Sequence, residues 1–276
     1  QPVPRHDEGR RLLLPGDFGH HSRAGDGAVI TRILPPEAVH QGDLILVNAH
    51  PPCHPLPQPD LVTVAGTGVQ LERRAAQALD SLMAAIDGWK GIVPVSGWRA
   101  LAEQQAIWDG SLAENGLPFT QTYVACPGCS EHQTGLAIDL GLNQGEIDFI
   151  RPAFPYEGLC QTFRQTMAQY GWVQRYPAGK EAITGIGHEP WHFRYVGQPH
   201  AALMAERDLT LEEYIAWIRA FPYESRRYRH GNVTLSFLPA APQGPTVVDL
   251  PEEGRCTLSG NNVDGFLLTE WGADHA

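Results

Sequence analysis

The chain has 276 residues, 42% of them hydrophobic, and its 31 acidic and 20 basic side chains give a formal net charge of −11. This length and apolar content suffice for a substantial hydrophobic core. The acidic balance, without any Lys/Arg block, argues against nucleic acid as a partner. No stretch reaches the roughly 18 consecutive apolar residues of a membrane-spanning helix, so no membrane span is expected.

Two features of the sequence bear on cellular location. The N-terminal residues place basic side chains before a leucine run that is too short for the apolar core of a signal peptide. The five cysteines are odd in number and widely spread, which argues against a disulfide framework and favours a reducing compartment. Together these features predict a cytoplasmic protein.

The first third of the chain changes from irregular to regular composition. Residues 1–66 are rich in Pro, Gly and His and contain one strand candidate at 43–48, so they predict an irregular arm packed on the main domain. Apolar residues at helical spacing predict an amphipathic helix over 70–88. A short buried strand follows at 91–96, and Pro94 favours an edge position for it.

The middle of the chain alternates helices and strands. Residues 135–140 predict a strand in which Ala137 and Asp139 share one face. A helix over 157–170 is expected to end at Gly171. The other predicted elements of this region are a helix at 100–109 and strands at 172–176 and 191–196.

The last quarter of the chain is rich in strand signals. Thr210 and Glu213 form a capping-box pattern for a helix that runs to about Ala220. Four short β-type segments separated by turns follow between 232 and 271. Because no βαβ rhythm appears, the sequence predicts an α+β fold, an antiparallel sheet with flanking helices, plus a small β-rich C-terminal lobe.

Three residues form a candidate metal site. His132, Asp139 and His192 supply two imidazoles and a carboxylate, the ligand set of a hydrolytic zinc site that keeps one position open. The seven-residue separation of His132 and Asp139 excludes a helical pair, and a straight strand would place them on opposite faces. A loop that turns at Gly135 into the strand of Asp139 resolves this, with His192 on a neighbouring strand.

Glu189 is the candidate base of this site. Three residues before His192, it is expected to take a proton from the attacking water and to deliver it to the leaving amine. The alternatives are a hydrogen-bonded His–Asp pair without metal and a solvated surface glutamate. His188 and His192 have the spacing of a helical zinc pair, but Pro190 disfavours a helix there, so His188 is interpreted as structural or as lying beside the site.

The sequence Cys126-Pro-Gly-Cys129 allows two further interpretations. A thioredoxin-like redox pair would need a helix directly after it, which the following residues do not resemble. A Cys-Cys-His zinc cluster with His132 would normally need a second cysteine pair. We interpret both cysteines as structural loop residues, with the zinc cluster as the alternative.

The pattern S-x-H-x-x-G-x-A-x-D followed by E-x-W-H resembles the LAS metallopeptidases. The blocks SGWRALAEQQAIW, PGCSEHQTGLAIDL and GHEPWHFRYVG, between about 70 and 200, are similar to the D-Ala-D-Ala carboxypeptidase and dipeptidase branch typified by VanY and VanXY. The resemblance implies a D,D-peptidase/hedgehog-like fold and one Zn²⁺ per chain. It also implies a catalytic domain over 67–200, preceded by the arm 1–66 and followed by a C-terminal helix and β-rich lobe over 201–276.

The resemblance adds residues around the metal. It implies that Arg99 faces the site and stabilises the oxyanion or orients the substrate. Ser130 and Gln104 match the family pattern and are candidates for binding the substrate carboxylate, or else a turn cap and a support for Arg99. Tyr123 and Trp191 are candidate pocket walls, although such aromatic residues are more often core.

The implied function is a zinc-dependent D,D-carboxypeptidase. It would remove the terminal D-Ala from peptidoglycan precursor peptides that end in D-Ala-D-Ala, with the free dipeptide as a second expected substrate, in cell-wall recycling or glycopeptide resistance. Substrate length would depend on the loop expected at 110–125 and on the C-terminal lobe. The alternatives are a non-catalytic zinc-containing peptide-binding module, as in the hedgehog proteins, and an exported endopeptidase of the cell wall.

Overall fold

The computed structural model describes residues 29–50, 52–64, 66–252 and 255–272. The N-terminal leucine run on which the signal-peptide prediction rests lies outside them. The strands are β1 (Val29–Leu34), β2 (Leu61–Thr63), β3 (Gln70–Glu72), β4 (Ile92–Ser96), β5 (Ala137–Leu142), β6 (Trp172–Tyr176), β7 (Glu189–Tyr195), β8 (Tyr228–His230), β9 (Val233–Pro239), β10 (Thr246–Pro251), β11 (Arg255–Gly260) and β12 (Gly265–Trp271). The α-helices are α1 (Arg73–Ala85), α2 (Leu101–Tyr123), α3 (Gly158–Met167), α4 (Glu181–Thr184), α5 (His200–Arg207) and α6 (Leu211–Ile218).

A four-stranded antiparallel sheet, in the order β4-β5-β7-β6, carries the candidate site. Helices α1 and α3 contribute Leu79 and Phe163 to a core that also includes Ile138 and Leu140 of β5. Burying each such side chain is worth about 1.5–3 kcal/mol. Since side chains alternate along a strand, Asp139 lies on the other face, as predicted. The α+β prediction is confirmed, and β4 lies at a sheet edge.

The C-terminal lobe is built on a second antiparallel sheet, in the order β11-β12-β9-β8. Strand β10 pairs instead with β1, from Val29 opposite Pro251 to Leu34 opposite Thr246. The N-terminal segment is therefore less irregular than the sequence suggests, because it supplies a strand to the C-terminal lobe. The exact domain boundaries stay a prediction.

The prediction of a strand at 43–48 is wrong, because these residues form no strand. Its apolar side chains are buried, but its backbone groups bind scattered partners instead of a neighbouring strand. The carbonyl oxygens of Asp43 and Ile45 both accept from the Arg194 guanidinium at 3.0 Å. The amide of Leu46 donates to the carbonyl oxygen of Asn261. This segment thus joins the catalytic sheet to the C-terminal lobe.

The prediction of a loop at 110–125 is also wrong, because most of these residues belong to α2, which continues to Tyr123. Gly116 interrupts it with φ 77°, a left-handed conformation that glycine adopts without strain. The glycines and Pro118 of this region led the sequence interpretation toward a loop. The capping box of α6 is confirmed, since the Thr210 hydroxyl and the Glu213 carboxylate each accept from the other residue's backbone amide. Among the described helices, none has the length and apolar character to cross a membrane.

The cysteine prediction needs correction. Cys53 and Cys129 form a disulfide with their Cα atoms 5.1 Å apart, within the usual range. Cys126 is free, so the redox pair of Cys126 with Cys129 does not form, and a Cys-Cys-His zinc cluster would lack Cys129. An odd cysteine count is compatible with one bridge and unpaired thiols, which is why the count misled.

We expect Cys53→Ser to lower the free energy of unfolding by about 2–5 kcal/mol. The bridge closes a loop across 76 residues of sequence, so its loss gives conformational freedom to the unfolded chain. Denaturant titration measures the change, with the free and partly exposed Cys256→Ser as control. Thiol titration of unreduced, unfolded protein should detect only Cys126, Cys160 and Cys256. Reaction of all the cysteines would contradict the bridge.

Candidate active site

The three predicted metal ligands come together. Gly135, with φ 71°, turns the chain from the loop of His132 into β5, and Asp139 lies directly opposite His192 on β7. One ligand atom from each of the three residues lies within 4.8 Å of the others, and all three are buried. Residues that are 53 positions apart in sequence become cross-strand neighbours, as predicted for a second strand beside the first.

The donor set fits a metal ion. Nε2 of His132 and Nδ1 of His192 approach the Asp139 carboxylate at 3.2 and 2.9 Å. The opposite ring nitrogens have outer partners, the Gly97 carbonyl oxygen at 2.7 Å for His132 and the Glu131 carboxylate at 3.5 Å for His192. Metal-binding histidines are commonly oriented in this way, because an acceptor for the far N–H frees the near nitrogen for the metal.

Glu189 reaches this cluster because β7 contains a bulge. Gln174 of β6 pairs with Phe193, whereas Tyr176 pairs with Glu189, so β7 has two more residues than β6 between these pairs. A bulge redirects side chains, and here Glu189 lies on the side of His192 with its carboxylate 3.8 Å from Nδ1. Sequence reasoning placed Glu189 on a loop, but it begins the strand.

Burial and charge shift the pKa values in the site. Burial raises the pKa of Glu189 to about 8, and nearby Asp139 adds to the rise, although His192 and Arg99 oppose it. Burial alone would lower the pKa of His192, but its hydrogen bonds to Asp139 and Glu131 raise it to about 9. Burial and the Arg99 charge lower the pKa of His132. A bound cation would favour the ionised carboxylates and neutral imidazoles.

Arg99 lies beside the candidate metal ligands, with its Nη2 atom 3.8 Å from a carboxylate oxygen of Asp139. It donates to the Ser96 hydroxyl at 2.9 Å and to the Gln104 side-chain oxygen at 2.8 Å. Gln104 in turn donates to the Ala125 carbonyl oxygen at 2.7 Å. Both ends of the buried Gln104 amide are thus occupied, which favours support of Arg99 over contact with substrate.

The three other predicted residues, Ser130, Tyr123 and Trp191, lie in different surroundings. Ser130 is buried two residues before His132. Tyr123 packs on the loop before β7, where a side chain at Gly187 would come within 2.7 Å of its ring. Trp191 lines a cavity of about 500 Å³ together with Tyr156 and other residues. The lining of that cavity includes neither the candidate metal ligands nor Glu189 or Arg99, and Trp191 packs against the core of the sheet, which argues against its predicted contact with substrate. Ser130 and Tyr123 stay candidates.

His188 is not one of the residues of the candidate metal-binding group, and it contacts Tyr156. Its Nε2 lies 2.7 Å from the Tyr156 hydroxyl, and the two rings stack with centroids 5.9 Å apart. Of the two interpretations of His188, as structural or as lying beside the site, this contact favours the structural one.

Sequence reasoning missed a buried group of charges behind His192. Glu131 accepts from Arg175 and Arg194, and Arg175 also binds Glu212 of α6. Charged residues are usually assigned to the surface, so only the position of Glu131 between Ser130 and His132 could have drawn attention to it. The ring of Tyr176 also packs against that of His192, with the two ring centroids 4.9 Å apart.

An antiparallel sheet that presents two imidazoles, a carboxylate, a buried glutamate and an arginine has the side chains of a mononuclear metal-dependent hydrolase. Residues 68–198 match the family model "VanY: D-alanyl-D-alanine carboxypeptidase". A relative from Enterococcus gallinarum, the bifunctional D-Ala-D-Ala dipeptidase and D-Ala-D-Ala carboxypeptidase VanXYC, is 43% identical over 175 residues, 62% of this chain and 92% of the relative. The chain belongs to the VanY family of D-alanyl-D-alanine carboxypeptidases.

Two solved structures extend the likeness to three dimensions. The vancomycin resistance D,D-dipeptidase VanXYg, solved with a D-Ala-D-Ala phosphinate analogue, is 45% identical with a TM-score of 0.83, over 89% of this chain and 100% of that one. A mutant D,D-pentapeptidase VanY from a VanB-type resistance cassette, solved with Zn(II), is 31% identical with a TM-score of 0.54, over 63% of this chain and 98% of that one.

Proposed function

We propose that this protein is a zinc-dependent D,D-peptidase. It removes the terminal D-Ala from peptidoglycan precursor peptides that end in D-Ala-D-Ala and also hydrolyses the free dipeptide. The observation that carries the proposal is the convergence of His132, Asp139 and His192 with Glu189 and Arg99 on one face of the sheet. The two named activities of the 43% identical VanXYC support both substrates, and the likeness to the D,D-dipeptidase VanXYg, over 89% of this chain, supports the dipeptide.

The roles of the residues follow from their positions. His132, Asp139 and His192 would hold one Zn²⁺, which would supply a Lewis acid for the scissile carbonyl and would lower the pKa of the attacking water. Glu189 accepts the proton of the attacking water and passes it to the departing amine. Arg99, fixed by its hydrogen bonds, holds the oxygen on which negative charge develops.

Substrate recognition is assigned to residues near the candidate ligands in sequence or in space. The Ser130 hydroxyl binds the substrate's terminal carboxylate, while Tyr123 forms a wall of the pocket. Gln104 acts through Arg99, because both ends of its amide are occupied.

A cytoplasmic location stays a prediction. The Cys53–Cys129 bridge removes the argument from cysteine usage for a reducing compartment.

The test is release of D-Ala from a muramyl pentapeptide and from free D-Ala-D-Ala, with and without a chelator. Chelator-sensitive release from both substrates supports the full proposal. Release from the pentapeptide alone would limit the enzyme to carboxypeptidase activity. Absence of release from either substrate, with zinc bound, would contradict the proposed function.

Arg99→Ala should lower kcat by about 10²–10³-fold, the usual effect of losing one group that stabilises an oxyanion. Zinc content should stay unchanged, because Arg99 is not a ligand. Gln104→Ala should give a smaller loss in the same direction, since it frees Arg99 without removing it. The exposed Arg229→Ala is the control for a lost arginine. Normal turnover in folded Arg99→Ala would contradict this role.

A further inference from the structure

Next to the candidate metal ligands lies a buried carboxylate that takes no part in the proposed proton transfers. The Glu131 side chain is 1% exposed. One of its oxygens accepts from Arg175 Nε and Arg194 Nη1, each at 2.8 Å. Its other oxygen faces Nε2 of His192 at 3.5 Å. One side chain therefore contacts both arginines and a metal ligand.

The two histidine ligands are held in different ways. A nitrogen that binds a metal ion cannot carry a proton, so a His192 that binds through Nδ1 has its proton on Nε2, facing Glu131. The outer partner of His132 is the backbone carbonyl of Gly97. The outer partner of His192 is a side chain whose own position depends on other parts of the fold.

Glu131 is connected to the C-terminal lobe through Arg175. The two Nη atoms of Arg175 donate to the two carboxylate oxygens of Glu212, at 2.9 and 2.6 Å, and Glu212 lies in the first turn of α6. Arg194 extends the connection to the carbonyls of the segment that joins the lobe to the sheet. The two arginines and two glutamates balance in charge, which offsets the cost of burying Glu131, Arg175 and Arg194, while Glu212 is partly exposed.

We propose that Glu131 is a positioning residue, which orients His192 for metal binding and couples the metal centre to α6 of the C-terminal lobe through Arg175 and Glu212. This inference deepens the proposed function and rests on it for the identity of the zinc ligands. It also gives residues 201–276 a role, since correct placement of α6 stabilises the metal-binding orientation of His192.

The experiment compares Glu131→Gln and Glu212→Gln with Glu213→Gln as the matched control. Glu213 is the next residue of the same helix, but it pairs with Lys180 and Thr210 and has no link to Glu131. A glutamine at position 131 has one acceptor and one donor end, so it cannot accept from both arginines and from His192. The readouts are the zinc dissociation constant by chelator competition, the visible spectrum of the Co²⁺-loaded protein, and kcat and KM separately.

We expect Glu131→Gln to weaken zinc binding by roughly 10- to 100-fold, as for other outer partners of metal-bound histidines. Its Co²⁺ spectrum should shift, and kcat should fall more than KM rises. Glu212→Gln should weaken zinc binding by roughly 2- to 30-fold, whereas Glu213→Gln should match the wild type. Circular dichroism and thermal melts establish that each variant is folded.

Folded Glu131→Gln with the zinc affinity and Co²⁺ spectrum of the control would overturn the positioning role. Should Glu131→Gln fail to fold, Glu212→Gln decides, and control-like zinc affinity there would refute the coupling to the lobe. Zinc affinity does not depend on which peptide is cleaved. A wild-type protein that binds zinc but releases no D-Ala would therefore overturn the proposed function and leave this test intact.

Discussion

Glu189→Gln is expected to lower kcat by about 10²–10⁴-fold, the range that a positioned acid–base group contributes. The amide has nearly the same shape as the carboxylate and still forms hydrogen bonds, but it cannot take a proton from water at neutral pH. Because Glu189 lies 3.8 Å from His192 and is not one of the three ligands, zinc should remain bound. Single-turnover assays together with metal analysis separate loss of chemistry from loss of metal.

The matched control is Glu206→Gln, an exposed glutamate on α5 that should keep wild-type turnover. KM should change little in Glu189→Gln, since the residue acts on the attacking water and not on the substrate termini. Near-normal turnover of a zinc-loaded Glu189→Gln would mean that another group takes the proton, and the assignment of the base would fall.

The three candidate metal ligands could be predicted to come together because ligand type and spacing restrict the geometry. Two histidines and an aspartate that must share one ion exclude a helix for the first pair and require two adjacent strands. The register of Asp139 opposite His192 meets that requirement. Such an inference needs only local periodicity and the chemistry of zinc.

The position of Glu189 depends on a bulge in β7, which the local sequence pattern does not show. Strict alternation along β7 would turn Glu189 and His192 to opposite faces, because they are three residues apart. The bulge opposite Gln174 and Tyr176 brings them together. A bulge is a property of two paired strands, so it becomes visible only when their register is known.

Contacts between residues that are distant in sequence also could not be predicted. The pairing of β1 with β10 joins residues more than 200 positions apart, and nothing in either strand identifies the other. Glu131, Arg175, Arg194 and Glu212 look like ordinary surface charges one at a time. Only the fold shows that they neutralise one another behind the candidate metal site, which is why sequence reasoning found the candidate ligands and not the charged residues that support them.

Asp139→Asn is expected to remove zinc from the purified protein, with activity lost in proportion. Asp139 is the only anionic member of the candidate ligand set, and it also contacts both histidines and lies 3.8 Å from Arg99. The amide keeps the shape but loses the charge that offsets the dication. Zinc affinity should therefore fall by more than the roughly 10- to 100-fold expected for an outer partner.

Zinc-dependent stabilisation provides a second readout that needs no substrate. A metal that binds only the folded state stabilises it by about 2.7 kcal/mol at a concentration of 100 times Kd, so added zinc should raise the Tm of the metal-free wild type. The same addition should leave Asp139→Asn unchanged, whereas Asp109→Asn, an exposed change on α2, should respond as the wild type does. If Asp139→Asn kept full zinc occupancy and the same rise in Tm, Asp139 would be an outer partner of the two imidazoles, and a different third ligand would have to complete the site.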